Sequence, residues 1–225
     1  SMANYEQEIE DVRRLESGSN LGRYVGLSHL CWNFDAKSTQ SVSGTVASRE
    51  IGPLRVSWLD ITLGSGEWRG QRDQHQIQAV PEPYLIVMMP IAGSMVLCGR
   101  GESITVQHQE LVVWDSTQEI TFDIREQRYE QISVLVPQRM LRATDEACAL
   151  LHCAHIDQQN VLAELCVQHM STLAKFMNTQ LRPYELSLSS VTTSLFDSMI
   201  ASLVRQPRDR DQPVSYTHLR AHETE

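Results

Sequence analysis

The stretch GSMVLCGRGESITVQHQELVVWDSTQEITFDI, residues 93–124, decides the fold of this chain. Short apolar runs in it are separated by turn signals, and Ile120, Phe122 and Ile124 are each followed or preceded by a polar residue. Alternation with period 2 is typical of a strand that buries one face. Glycine tolerates a positive φ, so the Gly-Arg-Gly at 99–101 suits a hairpin turn. The stretch therefore predicts consecutive antiparallel strands.

The same pattern extends over residues 21–136. Leu54, Val56 and Trp58 share one face of a predicted strand, with polar residues between them. The runs that we interpret as strands are RYVGLSHLCW, TVASREI, PLRVSWLDITLG, PYLIVMMP, SMVLCG, ESITV, ELVVWD, EITFDI and QISVLVP. Many short strands joined by close turns predict an antiparallel barrel or sandwich, here over residues 21–143.

From Pro137 onward the apolar period becomes helical. Thr144 or Asp145 is placed to cap a short helix, Asp157 to cap a long one, and Pro183 to start another. The two long helices have apolar stripes, Leu162, Leu165, Cys166, His169, Leu173, Phe176 and Met177 in the first and Leu188, Val191, Leu195, Met199 and Leu203 in the second. The fold prediction is α+β, an antiparallel barrel followed by a helical hairpin over residues 144–206.

Both ends of the chain differ in composition from its middle. Residues 1–20 are polar and charge-rich, and we expect an N-terminal arm in which Ser1 and Met2 are a tag remnant. Residues 207–213 have the composition of a linker. The closing VSYTHLRAHETE, residues 214–225, has neither an apolar period nor a helix stop.

The composition argues against several functional classes. A net charge of −9 without a stripe of Lys and Arg argues against a nucleic-acid-binding module. No apolar run approaches the length of a membrane helix, and the charged N-terminus does not resemble a signal peptide, so we expect a cytoplasmic protein without membrane contact. The five cysteines have no framework spacing and are expected to be reduced thiols.

Residues 93–124, followed by YEQISVLVPQRMLR at 129–142, resemble the effector-sensing domain of the AraC/XylS family of transcription regulators. The more specific elements are Asp115-Ser116, which ends a strand, and the Val136-Pro137 pair that opens a helix reaching Leu141. The resemblance covers about residues 21–205 and implies a cupin-like barrel. The family usually has Gly before an acidic residue and Leu, where this chain has Gln109.

The resemblance also implies a DNA-binding pair of helix-turn-helix units after the linker, and this sequence contains no such pattern. Residues 214–225 resemble the translation of a sequencing adapter, so we interpret them as an artefact that truncates the gene at the linker. DNA would then be a partner only of the full-length protein.

A cupin-like barrel raises the question of a metal. The cupin pattern needs paired histidines and an acid, then a later histidine. Here the first region supplies only His75, and the later position falls near Ile120, so a metal-dependent cupin enzyme is disfavoured. The cluster Cys148, His152, Cys153 and His155 lacks the CxxC spacing of structural zinc sites, and buried thiols are the simpler interpretation. With no nucleophile elbow and no phosphate loop, we predict neither catalytic residues nor a cofactor.

We predict instead a pocket for a small-molecule effector. Side chains expected inside the barrel are Trp58, Tyr84, Met88, Trp114 and Phe122, with Arg72 and His75 on the approach to a strand. The alternative is that the apolar members only fill the barrel. Laid on the sugar-sensing prototype of the family, the ligand contacts fall near Arg72, Phe122, Glu130 and Ile132. Arg72 would hold a carboxylate or hydroxyl, and Glu130 would favour a hydroxyl or amine or pair with Arg72.

The helices have two possible roles, because capping the barrel and forming a homodimer need the same apolar stripe. The resemblance implies the dimer, through Leu162, Leu165, His169, Leu173 and Phe176. Our functional prediction is the ligand-sensing, dimerising domain of an AraC-like regulator, not an enzyme. The rival predictions are a stand-alone cupin enzyme, which would contain metal, and a ligand-independent dimerisation scaffold, which would have a filled barrel.

Overall fold

A computed structural model describes residues 14–157, 159–177 and 182–205 of the chain. The strands are β1 (Arg14–Ser17), β2 (Asn33–Phe34), β3 (Val42–Ile51), β4 (Leu54–Leu63), β5 (Trp68–Arg72), β6 (Tyr84–Ala92), β7 (Met95–Gly99), β8 (Glu102–Val106), β9 (Val112–Asp115), β10 (Ile120–Ile124), β11 (Arg128–Pro137) and β12 (Ala154–His155). The helices are α1 (Gly18–Ser28), α2 (Ala36–Thr39), α3 (Gln74–Ala79), α4 (Asp145–Leu150), α5 (Val161–Phe176) and α6 (Glu185–Arg205), with 3-10 turns at Gln138–Met140 and Arg182–Tyr184.

The described strands form two antiparallel sheets that face each other. The large sheet has the order β1-β3-β4-β11-β6-β9-β12, and the small sheet the order β2-β5-β10-β7-β8. The sheets remain separate, so the predicted barrel or jelly roll is an open sandwich of two antiparallel sheets. Helices lie at the C-terminal end, as predicted.

The large sheet is covered on both faces, and this determines where each of its side chains lies. Ile132, Val134 and Val136 of β11 pack in one apolar cluster with residues of α5 and α6, while Tyr129 and Leu135 belong to a second cluster between the two sheets. Successive residues of a strand point to opposite faces, so a one-residue step changes the cluster to which a side chain belongs.

The hairpin between β7 and β8 follows the predicted turn. Gly99 pairs with Glu102, which leaves Arg100 and Gly101 as the two loop residues, and both have positive φ, 57° and 74°. Two consecutive left-handed residues define the type I′ turn, whose twist matches that of antiparallel strands.

The structure differs from the prediction near the N-terminus. RYVGLSHLCW was interpreted as a strand, but most of it lies in α1. Leu21 and Val25 are buried at helical spacing, and a Cβ at Gly22 or Gly26 would contact the ring of Phe34. The small residues therefore let α1 lie close to the aromatic interior. Arg14–Ser17, in the expected arm, pair with β3, whereas residues 1–13 lie outside the described part.

The C-terminal helices follow the predicted order with one correction. Thr144 caps α4 as predicted, through its bond from the Ala147 amide. Asn160, not Asp157, caps α5, because the Asn160 Oδ1 accepts from the first-turn amides. Side-chain bonds from Asn160 to Ser202 and from His169 to Thr192 show that α5 and α6 are antiparallel.

The linker predicted at 207–213 and the adapter-like residues 214–225 lie outside the described ranges. Of the helices described, none has the length and apolar character needed to cross a membrane.

An aromatic cavity as the candidate functional site

A small cavity lies between the two sheets, on the inner face of the large sheet. Its aromatic lining is Trp32, Phe34, Trp68, Trp114 and Phe122. Its aliphatic lining is Val25, Leu59, Met88, Met95, Leu97 and Ile124. The polar side chains that reach it are His29, Tyr129 and Gln131. An apolar enclosure with a few polar groups is the usual composition of a small-molecule site.

The aromatic rings form one connected cluster. Phe34 stacks on Trp68 with 4.9 Å between ring centroids, and Phe122 meets the edge or face of Trp68 at 5.2 Å. Trp32 packs against Trp114 at 5.6 Å and against Phe122 at 5.4 Å, both in edge-to-face geometry. These separations lie within the favourable range for aromatic pairs. The cluster brings β2, β5, β9 and β10 together around the cavity.

The polar side chains of the cavity form a chain of hydrogen bonds. The Tyr129 hydroxyl donates to the Gln131 Oε1 at 2.8 Å, and the Gln131 Nε2 lies 3.4 Å from the His29 Nε2. The His29 Nδ1 lies 3.0 Å from the Val25 carbonyl oxygen. The Ser28 hydroxyl lies closer to the Nδ1, at 2.7 Å, and itself donates to the Val25 carbonyl, while the Gln131 Nε2 can only donate. In this arrangement the Nδ1 carries the proton and the Nε2 is an acceptor.

The titratable groups of the cavity are held in their neutral forms. Burial lowers the pKa of His29 to about 4, since an imidazolium would lose its hydration there. Burial raises the pKa of Tyr129 well above its usual value for the same reason. At neutral pH the lining of the cavity therefore carries no charge from either group.

The cavity has a volume of about 40 Å³. A water molecule needs roughly 10–15 Å³, so the cavity holds a few water molecules as it stands. A ligand the size of a benzene ring needs some lining residues to move.

The segment that joins α1 to β2 covers the cavity and is strained. Leu30 and Cys31 have φ values of 71° and 69°, which are unfavourable for residues with a Cβ. Trp32 follows them and is half-buried, and its indole N–H donates to the His29 carbonyl at 2.9 Å. The strained residues therefore lie directly between two residues of the cavity lining, His29 and Trp32.

The side chain of Arg72 binds the backbone of the strained residues Leu30 and Cys31. Its Nε donates to the carbonyl oxygens of Leu30 and Cys31 at 3.1 and 3.0 Å, and its Nη1 donates to the Ser116 carbonyl at 2.8 Å. The side chain is 1% exposed, its Nη2 has no hydrogen-bond partner among the described residues, and burial lowers its pKa to about 10. Its Cζ lies 5.5 Å from the centroid of the Trp114 ring.

Three of the residues predicted for the pocket line the cavity: Met88, Trp114 and Phe122. Arg72 lies beside it, beyond Trp114, and does not reach the lining. His75 is exposed on α3, away from the cavity.

The remaining three lie on the other face of the large sheet. Trp58 was predicted to point into the barrel, and this is wrong because it packs in the cluster under α5 and α6. Ile132 belongs to the same cluster, and Glu130 accepts a bond from the Trp58 indole. Both sides of β4 are partly apolar, because Leu54, Val56 and Trp58 pack in the helix-side cluster while Leu59, Ile61 and Leu63 pack between the sheets. The pattern of β4 alone therefore does not show which side faces the cavity.

Sequence reasoning missed His29, Trp32, Phe34, Trp68 and Gln131. One signal was available: Trp32 and Phe34 are two residues apart, as expected for two side chains on one face of a strand. The error on α1 concealed it.

The predicted dimerisation residues fall on two sides of α5. Leu173 is buried within the chain, Leu162 packs against the helix-side cluster, and His169 bonds to Thr192 of α6. Leu165 and Phe176 are 50% and 48% exposed.

The cysteine and histidine cluster of 148–155 is dispersed in the structure. Cys148 and Cys153 are buried, and burial raises the pKa of their thiols to about 11 and about 12. His152 accepts from the Asp115 amide at 3.0 Å, and His155 contacts Glu110. In the ranges that the structure describes, no three His, Cys, Asp or Glu side chains are placed to hold a metal ion.

A model of the AraC-binding-like domain family matches residues 23–205. The chain belongs to this family. The match covers most of the chain and agrees with the family resemblance of residues 93–142.

One solved structure shares the fold over most of the chain. The AraC-like transcriptional activator CuxR superposes with a TM-score of 0.60 at 9% identity, over 85% of this chain and 62% of that one. The chain therefore spans less than two thirds of the length of that relative. A cupin domain of an XRE family regulator from Enterobacter cloacae gives a TM-score of 0.34 at 12% identity, over 43% of this chain and 97% of that one. No curated protein matches the sequence.

The sequence elements that mark the family have a structural role here. The Asp115 carboxylate accepts from the Thr117 amide and from the Gln138 side chain, both at 2.9 Å. The Ser116 hydroxyl accepts from the Tyr84 amide at 2.8 Å. The Asp-Ser pair of this AraC-binding-like domain thus ties the end of β9 to β6 and to the turn that follows Pro137.

Proposed function

We propose that this chain is the ligand-sensing domain of an AraC-like transcription regulator, with the aromatic cavity as its effector site. The observation that carries the proposal is an aromatic cavity with a neutral polar end, in a chain of the AraC-binding-like domain family. Such a lining is suited to binding a small molecule rather than to transforming one. Met88, Trp114 and Phe122 form the walls, and Arg72 positions the segment above them.

The fold offers a route from the cavity to the helices. On β11, Gln131 reaches the cavity while the adjacent Ile132 packs in the cluster under α5 and α6. An effector that binds one position of β11 better than another would shift the helices with it. This linkage is the regulatory step of the proposal.

The other parts of the proposal concern assembly. We propose that α5 forms a homodimer contact centred on Leu165 and Phe176, with Leu162, His169 and Leu173 supporting it from within the chain. DNA would be bound by a further domain that follows the helices in the full-length protein, and the protein would act in the cytoplasm.

A ligand panel tests the effector site directly. Sugars, carboxylic acids, amines and neutral aromatic molecules are added to the 225-residue chain, and the melting temperature is measured. We expect at least one class to raise it, because a ligand that binds only the folded state stabilises that state. Leu97→Phe fills the cavity and should abolish the shift.

The matched control is Leu150→Ala, since Leu150 is 55% exposed on α4 and does not line the cavity. It should respond to the ligand as the unaltered chain does. A panel without any stabilising ligand, or a shift that survives Leu97→Phe, contradicts the proposed site.

A further inference from the structure

We propose that the effector is a small, uncharged aromatic molecule that carries a single hydroxyl or N–H donor, of which phenol is the simplest example. This inference rests on the proposed function, because it assumes that the cavity between the sheets is the effector site. It goes further by naming the chemical class that the lining selects.

The walls select an aromatic body. The Trp32 ring already packs edge to face against the rings of Trp114 and Phe122, at 5.6 and 5.4 Å between centroids. A planar ring inserted among them would make the same favourable contacts that they make with one another. A sugar would bury its hydroxyl groups against these rings. Each hydroxyl group left without a hydrogen-bond partner would cost about 1–3 kcal/mol of binding free energy.

The polar end selects a hydrogen-bond donor. The His29 Nε2 faces the Gln131 Nε2, which can only donate, and it is an acceptor when the Nδ1 proton is shared between the Ser28 hydroxyl and the Val25 carbonyl. Its neighbour, the Gln131 Nε2, lies at 3.4 Å, which is longer than a strong hydrogen bond, and that amide also donates to Ser133. The His29 Nε2 therefore has capacity for a better donor, which a hydroxyl group would provide.

Charge excludes the neighbouring ligand classes. The described side chains that line the cavity include no Asp, Glu, Lys or Arg, so a bound ion would have no partner of opposite charge. A carboxylate would also face the lone pair of the His29 Nε2. Losing hydration without a partner is costly for any ion.

Arg72 favours the main rival, an aromatic carboxylate. Its Nη2 is buried without a hydrogen-bond partner in the part of the chain that the structure describes, and a guanidinium group binds carboxylates well. However, its Nε and Nη1 already donate to backbone carbonyl oxygens. Its Cζ lies 5.5 Å from the centroid of the Trp114 ring, which itself lines the cavity. The guanidinium therefore does not line the cavity, and we assign it to holding the segment of Leu30 and Cys31.

Entry requires the cavity to enlarge, and the strained segment provides the means. Trp32 is half-buried and follows two left-handed residues, so its outward movement would open the cavity. Relief of the strain at Leu30 and Cys31 would offset part of the cost of this movement.

The test uses phenol, toluene, benzoate and benzylamine at pH 7, with affinities measured by calorimetry on the full 225-residue chain. Phenol and toluene share the ring, while the other two carry a negative and a positive charge. Binding in the cavity is located by tryptophan fluorescence in Trp58→Phe, since the other tryptophans, Trp32, Trp68 and Trp114, all line it.

His29→Asn is the matched variant. Its side-chain amide can still donate to the Val25 carbonyl as Nδ1 does, but it removes the Nε2 acceptor. We expect this change to weaken phenol by about three- to tenfold, the worth of one neutral hydrogen bond, and to leave toluene within about twofold. Benzoate and benzylamine should bind the unaltered chain at least about tenfold more weakly than phenol.

The opposite results overturn the inference in distinguishable ways. Tighter binding of benzoate or benzylamine than of phenol disproves the ligand class but leaves the cavity as an effector site. An equal loss of phenol and toluene in His29→Asn disproves recognition through the His29 Nε2. If none of the four binds, the class is wrong, and the wider panel described above decides separately whether the cavity binds any effector. The series on the unaltered chain needs no variant to fold.

Discussion

At the scale of single residues, His29 links the pH to the stability of the fold. Its pKa is about 4 in the folded chain and 6.5 when exposed, so the unfolded chain binds the proton first as the pH falls. The contribution of His29 to the free energy of unfolding is fully present above pH 6.5 and is lost as the pH falls from 6.5 to 4. We expect a loss of roughly 3 kcal/mol in the free energy of unfolding over that window, measured by urea titration.

His29→Asn should flatten this pH dependence, whereas His75→Asn, at an exposed position on α3, should not change it. Part of the slope will remain, because burial also lowers the pKa of His152 and His169, which contribute in the same direction. An unaltered slope in His29→Asn contradicts the assignment of the effect to His29.

Gln109 stands where the family usually has glycine, and its backbone has the left-handed conformation with φ of 61°. A residue with a Cβ pays about 1–2 kcal/mol for that conformation, and glycine about half as much through its freedom in the unfolded chain. Gln109→Gly should therefore stabilise the fold by about 0.5–1 kcal/mol in thermal or urea unfolding. Gln107→Gly, two residues away and without a positive φ, should be neutral or destabilising. If Gln107→Gly stabilised the fold more than Gln109→Gly, the backbone of Gln109 would not be strained.

At the scale of elements, Arg72 connects β5 to the segment between α1 and β2. Arg72→Met leaves the carbonyls of Leu30, Cys31 and Ser116 without donors. We expect the free energy of unfolding to fall by about 2–4 kcal/mol and the amide of Cys31 to exchange faster with deuterium. Arg125→Met is the control.

The Arg125 side chain is 72% exposed in an ion pair with Asp123, so its loss should change stability by less than about 1 kcal/mol. Unchanged exchange at Cys31 in Arg72→Met would show that the segment holds its conformation without the guanidinium.

The residue that caps α5 is Asn160 rather than the predicted Asp157. Asn160 accepts from the amides of Leu162 and Ala163 at 2.9 and 3.3 Å, whereas Asp157 accepts from the amide of Gln159, which precedes the helix. Asn160→Ala should lower the free energy of unfolding by about 1 kcal/mol, and Asp157→Ala by less. Equal losses, measured by urea unfolding, would contradict the assignment of the cap.

Elements were predictable where local signals agreed, and not where they depended on partners. The turn at Arg100 and Gly101 and the cap at Thr144 follow from residue type alone. The face of Trp58 does not, because the large sheet is covered on both sides and only the helices reveal which side is which. The cavity likewise depends on α1 and β2, whose sequence has apolar residues compatible with either helix or strand.

At the scale of the whole molecule, the exposed apolar side chains of α5 bear on assembly. Leu165 and Phe176 are half-exposed, while Leu173 and the apolar residues beside it already pack on the sheet. Large apolar side chains that stay accessible together often mark a contact with another protein surface. If α5 forms the proposed homodimer, a charge at Leu165 must be buried without a partner in both copies.

We therefore expect Leu165→Glu to weaken the dimer by at least about tenfold in sedimentation equilibrium, which corresponds to about 1.4 kcal/mol. Leu150→Glu introduces the same charge at a position on α4 that is 55% exposed, and it should leave the association unchanged. If both substitutions weaken association equally, the loss comes from net charge rather than from α5. If the unaltered chain is monomeric at all concentrations, the helices only cap the large sheet, and the regulatory shift proposed through β11 must act within one chain.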